Sequence, residues 1–223
     1  GHTTVKFTDP DVYGTLPSSG EEYRTEIIHQ RKLISVLVID IKGYTSLTQI
    51  IDETLLAQLI STWSSFCGDQ VQFYGGWTHK FIGDAMMAVW VHESPPIAKD
   101  IQRILSSLSK IVTFTSQLDQ QFGLSEKIKI GAGINTGHGM IGNNGSNSNP
   151  DFTPLGVNAA FRFESATRKL DVELIMGEST QSCLAEKSIL QRFDLKLKGY
   201  NDSKRVFGCS FDQLNQLVNQ QTK

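Results

Sequence analysis

The hydrophobic positions of this chain have the pattern of a strand in some segments and of a helix in others, and the order of these segments predicts a mixed α/β architecture. LISVLVID (33–40) is apolar and β-branched with no polar alternation, which is typical of a strand buried on both faces. Residues 46–74 show helical spacing that stops at Gly75-Gly76, and residues 95–122 repeat that spacing. The first half of the chain therefore predicts one buried strand and two long helices.

A hairpin is predicted between these two helices. Two β-rich runs at 77–82 and 85–91 flank Gly83-Asp84, and glycine supplies the positive φ that a tight two-residue turn requires. Further along, residues 158–168 have helical spacing, whereas the strand-like segments are 128–137, 171–177, 191–197 and 204–210. This order predicts an α+β fold with a ferredoxin-like βαββαβ core, in which helices pack on one face of a mixed sheet.

The length of 223 residues suits one sizeable domain, which we expect to span residues 31–210. Residues 1–20 are rich in turn formers, and residues 1–30 are predicted to form an arm or linker to an upstream regulatory domain, with a short helix at 21–30. Residues 211–223 are expected to form a C-terminal tail.

Composition narrows the classes of partner. The formal net charge of −2 gives no basic surface for nucleic acid or anionic lipid. Three cysteines without a CxxC pair argue against a disulfide framework and a thiolate zinc site, and they fit a reducing, cytoplasmic location. The longest apolar run, 33–41, is too short to cross a bilayer, so we expect no membrane segment.

Two aspartates occupy positions where reactive groups are often found. Asp40 ends the buried strand and Asp84 lies at the tip of the hairpin. Either carboxylate alone is compatible with capping a backbone N–H or with simple solvation. Together with substrate phosphates, however, two carboxylates form a typical Mg²⁺ environment. Two metals held in this way can polarise an attacking hydroxyl and stabilise a leaving pyrophosphate.

Four segments resemble the motifs of class III adenylyl and guanylyl cyclases. They stand in the order of that family and are VLVIDIKGYTSLT (36–48), GGWTHKFIGDAMMAVW (75–90), DFTPLGVNAAFR (151–162) and LKLKG (195–199). The resemblance extends from about Arg31 to Cys209. The formal GxGxxG match at 137–142 precedes an Asn/Ser-rich loop and not a helix, so it does not indicate a dinucleotide site.

The resemblance implies a role for eight residues. Asp40, Asp84 and the Ile41 carbonyl would bind metal, two Mg²⁺ or Mn²⁺ ions per active site. The residues implied to contact the nucleotide are Lys80 and Thr153 at the base, Asn158 at the ribose, Arg162 at the transferring phosphate and Lys198 at the triphosphate.

The chemistry of these side chains agrees with the implied roles. A lysine at position 80 donates to acceptors such as adenine N1, whereas guanine presents N1–H and N2–H₂ and would favour an acidic residue. Lys80 with Thr153 therefore favours ATP. Asn158 and Arg162 are four positions apart, so in a helix they share a face. The planar guanidinium of arginine suits phosphate.

The function that the resemblance implies is an adenylate cyclase, in which the ribose 3′ hydroxyl of ATP attacks the α-phosphate to give cyclic AMP and pyrophosphate. It also implies a head-to-tail homodimer with two shared sites, each taking Asp40 and Asp84 from one chain and the other functional residues from its partner. Two alternatives stay open: a guanylate cyclase, and a catalytically silent nucleotide-binding or dimerisation domain of the same fold.

Two positions depart from the family pattern. Only Val157 separates Gly156 from Asn158, where the family has two more residues, and Asn149 stands where many members have an arginine. The shortened spacing is the feature that supports the silent alternative.

Overall fold

The structure is a computed structural model that describes residues 29–95, 97–142, 151–152, 154–197 and 202–220. Its strands are β1 (His29–Lys42), β2 (Thr78–Ile82), β3 (Ala85–His92), β4 (Lys129–Gly142), β5 (Asp151–Phe152), β6 (Leu174–Gly177), β7 (Gln191–Leu195) and β8 (Lys204–Cys209). Its helices are α1 (Tyr44–Ile50), α2 (Glu53–Phe73), α3 (Ala98–Thr115), α4 (Leu118–Phe122), α5 (Pro154–Leu170), α6 (Glu178–Ser182) and α7 (Phe211–Gln220).

The strands form one mixed sheet in the order β2-β3-β1-β4-β6-β8-β7, with β5 paired to β4. Strand β1 lies between β3 and β4 and is antiparallel to both, whereas β4 and β6 are parallel. The order β2-β3-β1-β4, with helices connecting β1 to β2 and β3 to β4, is the ferredoxin-like βαββαβ arrangement. The predicted α+β fold is confirmed.

Helices pack on both faces of this sheet. Because side chains alternate along a strand, Leu37 and Ile39 of β1 join the core formed with α2, α3 and α7, while Val36 and Val38 face the opposite side. There they meet Ala160 of α5. The expectation of helices on one face thus holds for the βαββαβ core and is wrong for α5.

Each of the two long predicted helices is interrupted. The first divides at Ile51-Asp52, where Asp52 Oδ1 accepts hydrogen bonds from the amides of Thr54 and Leu55 at 2.9 and 3.3 Å and caps α2. An aspartate cap satisfies backbone donors that would otherwise lack partners, so it competes with helix continuation. The second divides into α3 and α4 at residues 116–117. Apolar spacing continues through both interruptions and therefore conceals them.

Both ends of the described chain also differ from expectation. His29 and Gln30 belong to β1, not to a helix, and residues 21–28 lie outside the described residues. The expected C-terminal tail contains α7, whose Leu214 and Leu217 are fully buried in the core. Residues 211–220 therefore add to the domain core.

A buried chain of polar side chains links β3, β1, β4 and α6. Ser35 Oγ lies 2.8 Å from both His92 Nε2 and Thr136 Oγ1, and Thr136 Oγ1 lies 2.8 Å from Thr180 Oγ1. His92 Nδ1 lies 3.1 Å from Asp100 Oδ2. Since a carboxylate accepts only, Nδ1 carries the proton and Nε2 accepts from Ser35. Burial lowers the pKa of His92, and Asp100 opposes that change.

Replacing His92 with glutamine should weaken the dependence of stability on pH. Because the pKa of His92 is lower in the folded chain, the unfolded chain binds more protons as pH falls through about 6.5, and the free energy of unfolding falls with it. Urea denaturation of the wild type and His92→Gln between about pH 5 and 7.5 tests this.

The control is His138→Gln, because His138 is exposed on β4. This variant should keep the pH profile of the wild type. Parallel profiles for the wild type and His92→Gln would contradict the prediction.

Two glycines of β4 allow α5 to lie close against the sheet. A Cβ on Gly133 would overlap the backbone of Ala160 and Glu164 and lie 3.1 Å from Phe163 Cβ. A Cβ on Gly131 would lie 2.8 Å from both Glu164 Oε1 and Thr167 Oγ1. The position of α5 over β4 therefore depends on the absence of side chains at these two positions.

Substituting Gly133 with alanine should lower the free energy of unfolding by about 1–3 kcal/mol, because α5 must move away from the strand. Gly137→Ala is the matched control on the same strand, since its Cβ would meet nothing within 4 Å. Urea denaturation measures both variants, and equal losses of stability would contradict the proposed close approach.

Candidate functional site

The structure brings Asp40 and Asp84 to the same end of the sheet. Asp40 of β1 pairs with Ala85 of β3, and Asp84 immediately precedes Ala85 in the hairpin turn. Gly83 has a φ of +65°, the left-handed conformation that this tight turn requires. The negative charge of Asp84 also raises the pKa of Asp40. The two predicted metal-binding carboxylates are therefore electrostatic neighbours.

The Asp40 side chain is mostly buried and forms one close ion pair. Its side chain is 17% exposed, and burial is the main cause that raises its pKa, ahead of Asp84. Arg168 of α5 opposes both, because its Nη2 donates to Asp40 Oδ2 at 2.8 Å. Asp40 is thus an acid whose ionised form depends on nearby positive charge.

Ile41 and Lys42 complete the end of β1. The Ile41 side chain is 2% exposed and anchors the strand in the core, so the backbone next to Asp40 has a fixed position. Burial lowers the pKa of Lys42, and Glu173 and Glu164 oppose that change. The Ile41 carbonyl remains a predicted metal ligand.

The residues at this end of the sheet fit a divalent cation bound jointly with substrate. Among the described residues, no cluster of three or more His, Cys, Asp or Glu side chains could hold a metal without other ligands. Asp40 and Asp84 nevertheless supply hard oxygen donors, and Asp40 already binds a cation, the guanidinium of Arg168. Mg²⁺ in nucleotide enzymes is typically held by one or two carboxylates together with substrate phosphates.

Lys80 lies on the sheet face that carries α5. On β2 it pairs with Met87, which belongs to the cluster that contains Ala160 of α5. Phe81 points to the opposite face and contacts Trp63 of α2, with ring centroids 6.4 Å apart. Lys80 and Phe81 therefore face opposite sides of the sheet, and Phe81 is 38% exposed beside Trp63.

Asn158 and Arg162 lie one turn apart within α5, as their spacing predicts. Asn158 is exposed and Arg162 is half-buried, while the intervening Ala159 and Ala160 are buried. At 1.5 Å per residue, Asn158 lies about 15 Å along the helix from Arg168. Within one chain, Asp40 is therefore grouped with Arg168 and not with Asn158.

Helix α5 begins at Pro154, so Gly156, Val157 and Asn158 lie within its first turns and the shortened spacing falls inside a helix. The remaining predicted contacts, Thr153 and Lys198, and the departure at Asn149 lie outside the described residues.

Three residues of α5 near Asp40 were missed from the sequence: Glu164, Thr167 and Arg168. Glu164 is 4% exposed and Thr167 is fully buried, and neither Glu164 Oε1 nor Thr167 Oγ1 has a hydrogen-bond partner among the described residues. Burial and the charge of Asp40 raise the pKa of Glu164, and Arg168 opposes them. The i, i+4 spacing of Glu164 and Arg168 was visible, but not that they face Asp40.

Comparison with known proteins identifies the family of this chain. The family model described as Adenylate and Guanylate cyclase catalytic domain matches residues 27–208. An adenylate cyclase of Anabaena cylindrica is 27% identical over 181 residues, which are 78% of this chain and 36% of that protein. The chain thus spans about a third of the length of this relative.

Solved structures of similar fold to this chain include two cyclases. The adenylyl cyclase CyaB from P. aeruginosa has a TM-score of 0.68 at 27% identity and covers 81% of this chain and 95% of its own. The guanylyl cyclase Cya2 has a TM-score of 0.68 at 21% identity and covers 81% of this chain and 92% of its own.

Among the described residues, no helix is both long and apolar enough to cross a membrane.

The family match covers most of the chain and includes the strand, the hairpin and the helix that carry the candidate site. This chain belongs to the class III adenylate and guanylate cyclase catalytic domain family.

Proposed function

We propose that this domain is an adenylate cyclase that converts ATP to 3′,5′-cyclic AMP and pyrophosphate at sites shared across a head-to-tail homodimer. The observation that carries the proposal is the meeting of Asp40 and Asp84 at one end of the sheet. The similarity to adenylate cyclases and the lysine at position 80 support ATP as the substrate. We further propose a cytoplasmic location and an upstream regulatory domain joined through residues 1–30.

Asp40, Asp84 and the Ile41 carbonyl would hold two Mg²⁺ or Mn²⁺ ions. When bound, these ions supply Lewis-acid polarisation of the ribose 3′ hydroxyl and charge neutralisation at the phosphates. The five residues predicted to contact the nucleotide would position the substrate. Phosphoryl chemistry depends mainly on such positioning and on charge stabilisation, because the protein has little covalent chemistry to perform.

The residues of α5 act on the ribose and on the transferring phosphate. Asn158 would orient the ribose so that its 3′ hydroxyl is in line with the leaving pyrophosphate. Arg162 would donate to oxygens of the α-phosphate as negative charge develops, and its fork can make two bonds at once. Lys198 would hold the triphosphate.

Lys80 and Thr153 would select the base. The lysine ammonium donates to adenine N1, whereas at guanine it would face the N1–H and N2–H₂ donors. The alternative, a guanylate cyclase, therefore requires a base contact that Lys80 disfavours. A guanylyl cyclase is nevertheless among the structures of similar fold, so substrate choice is a matter for direct measurement.

The direction of α5 supports a site that is shared between two chains. Asn158 is exposed on the side of α5 away from its own sheet and lies about 15 Å along the helix from the residue that binds Asp40. A second chain, placed with its Asn158 and Arg162 opposite these aspartates, would complete the site. By symmetry, two chains would form two such sites.

A mixture of two inactive variants should regain activity if the sites are shared. Asp84→Ala removes a metal ligand, and Arg162→Ala removes the charge-stabilising group. In their heterodimer both lesions fall in one site and the other site is intact. Co-expressed chains should therefore produce cyclic AMP at roughly a quarter of the wild-type rate if they pair at random.

Each variant alone is the control for this experiment and should lose on the order of 10²-fold or more in rate. Arg103→Ala replaces an exposed arginine of α3 and should leave activity intact. Absence of rescue in heterodimers isolated by two different affinity tags would refute the shared site.

A Lys80→Glu variant should lose activity with ATP relative to GTP. Replacing a donor with an acceptor removes the adenine N1 contact and favours the donor edge of guanine, with an expected change in the ratio of about 10- to 100-fold. Initial rates with MnATP and MnGTP measure the ratio of the two kcat/KM values. An unchanged ratio would show that Lys80 takes no part in base selection.

A second candidate is a catalytically silent nucleotide-binding or dimerisation domain, and the single residue between Gly156 and Asn158 is the feature that supports it. The same assay separates the two candidates. Binding of ATP by the wild type without cyclic product at saturating Mn²⁺ would favour the silent domain.

A further inference from the structure

We propose that Arg168 competes with a divalent cation for Asp40, and that Glu164 accepts the Arg168 guanidinium when the metal binds Asp40. This inference rests on the proposed function, because it takes Asp40 as a metal ligand. It assigns to Arg168 and Glu164 a positioning role that sets how readily the site accepts metal.

The ion pair between Arg168 and Asp40 differs from the other arginine–carboxylate pairs of the described residues. Its N–O distance of 2.8 Å is close to the 2.7 Å between Arg205 and Glu178, so burial is what sets it apart. The Asp40 side chain is 17% exposed, whereas the carboxylates of Asp100, Asp194 and Glu178 are 36%, 61% and 56% exposed. Charges interact more strongly where water is partly excluded. Arg168 therefore holds Asp40 more firmly than an ordinary surface arginine would.

This pair competes directly with metal binding. The guanidinium lies against Asp40 Oδ2, which is one of the oxygens that a divalent cation would need. It also repels a second cation at the same carboxylate. Metal binding therefore draws on the fraction of molecules in which Arg168 has left Asp40, and the apparent metal affinity is the intrinsic affinity multiplied by that fraction.

Glu164 provides an alternative acceptor for the displaced guanidinium. It precedes Arg168 by four residues, so both side chains lie on one face of α5. Its Oε1 is buried and has no hydrogen-bond partner among the described residues, and it lies beside Gly131, the β4 residue that pairs with Asp40. A Cβ on Gly131 would lie only 2.8 Å from this oxygen, so Glu164 can occupy this position because Gly131 has no side chain.

A purely structural role would give a different result. If Arg168 only fastened α5 to the sheet, its removal would lower stability and would leave metal affinity unchanged or reduced. The competition proposed here has the opposite sign for metal, because removing Arg168 frees Asp40. Metal affinity therefore separates the two roles.

The experiment titrates the nucleotide-free full chain with Mn²⁺ and follows the electron paramagnetic resonance signal of the free ion. Arg168→Gln should bind Mn²⁺ about 3- to 20-fold more tightly than the wild type, because neither competition nor repulsion remains. Arg168→Lys keeps the charge but loses the planar fork, so its affinity should fall between the two.

Arg192→Gln is the matched control. Arg192 is 56% exposed and pairs with Asp194 on β7, at the far edge of the sheet, while Arg168 is 54% exposed. Both substitutions remove one positive charge. Equal tightening by Arg192→Gln would show a general effect of net charge and would overturn the proposal.

The role of Glu164 is tested with Glu164→Gln alone and together with Arg168→Gln. If Glu164 acts by accepting the guanidinium, Glu164→Gln should weaken Mn²⁺ binding more in the wild type than when Arg168 is absent. Equal weakening in both backgrounds would mean that Glu164 acts only through its own charge, and that part of the proposal would be wrong.

The possible failures of this proposal and of the proposed function can be told apart. Two results together would overturn this proposal alone. Arg168→Gln, shown by circular dichroism to be folded, would bind Mn²⁺ no more tightly than the wild type, and Asp84→Asn would abolish that binding. If neither the wild type nor any variant binds Mn²⁺ in the absence of nucleotide, this inference is overturned, whereas the proposed function is then decided separately by whether the chain makes cyclic AMP. Tightened Mn²⁺ binding in a domain that makes no cyclic nucleotide would sustain the inference and reject the catalytic function.

Discussion

The central position of β1 is the constraint on which the rest of the structure depends. Its residues 34–39 are buried on both faces, between the core of α2, α3 and α7 and the smaller cluster under α5. Antiparallel pairing with both β3 and β4 fixes where this strand ends, and so fixes Asp40 beside the hairpin turn that holds Asp84. A hydrophobic requirement thus sets the position of two charged groups.

The two ends of helix α5 lie in different surroundings. Close packing over Gly131 and Gly133 directs its C-terminal half, with Glu164 and Arg168, toward Asp40. Its N-terminal half carries Asn158 on the exposed side. If the proposed assembly is correct, one helix both regulates the metal ligands of its own chain and serves the substrate of its neighbour. Such a helix would link metal entry to the dimer interface.

The sequence was a good guide where the signal was local. The strand at 33–40 and the hairpin around Gly83-Asp84 follow from short apolar runs and one turn, and both are confirmed. The cap at Asp52 and the face occupied by α5 could not be predicted, because they depend on competition with the backbone and on packing. Arg168 and Asp40 are 128 residues apart, so their contact appears only in three dimensions. The roles of all eight predicted site residues stay predictions, and Thr153 and Lys198 lie outside the described residues.

The polar chain of Ser35, Thr136, Thr180 and His92 constrains how this sequence can drift during evolution. Each member forms a hydrogen bond with its neighbour in a region closed to water, so losing one would leave a buried hydrogen-bonding group without a partner. Replacing the whole set with apolar residues of similar shape would leave no such group. These four positions should consequently change together between related chains. Intermediate combinations should be rare, because they carry the greatest cost.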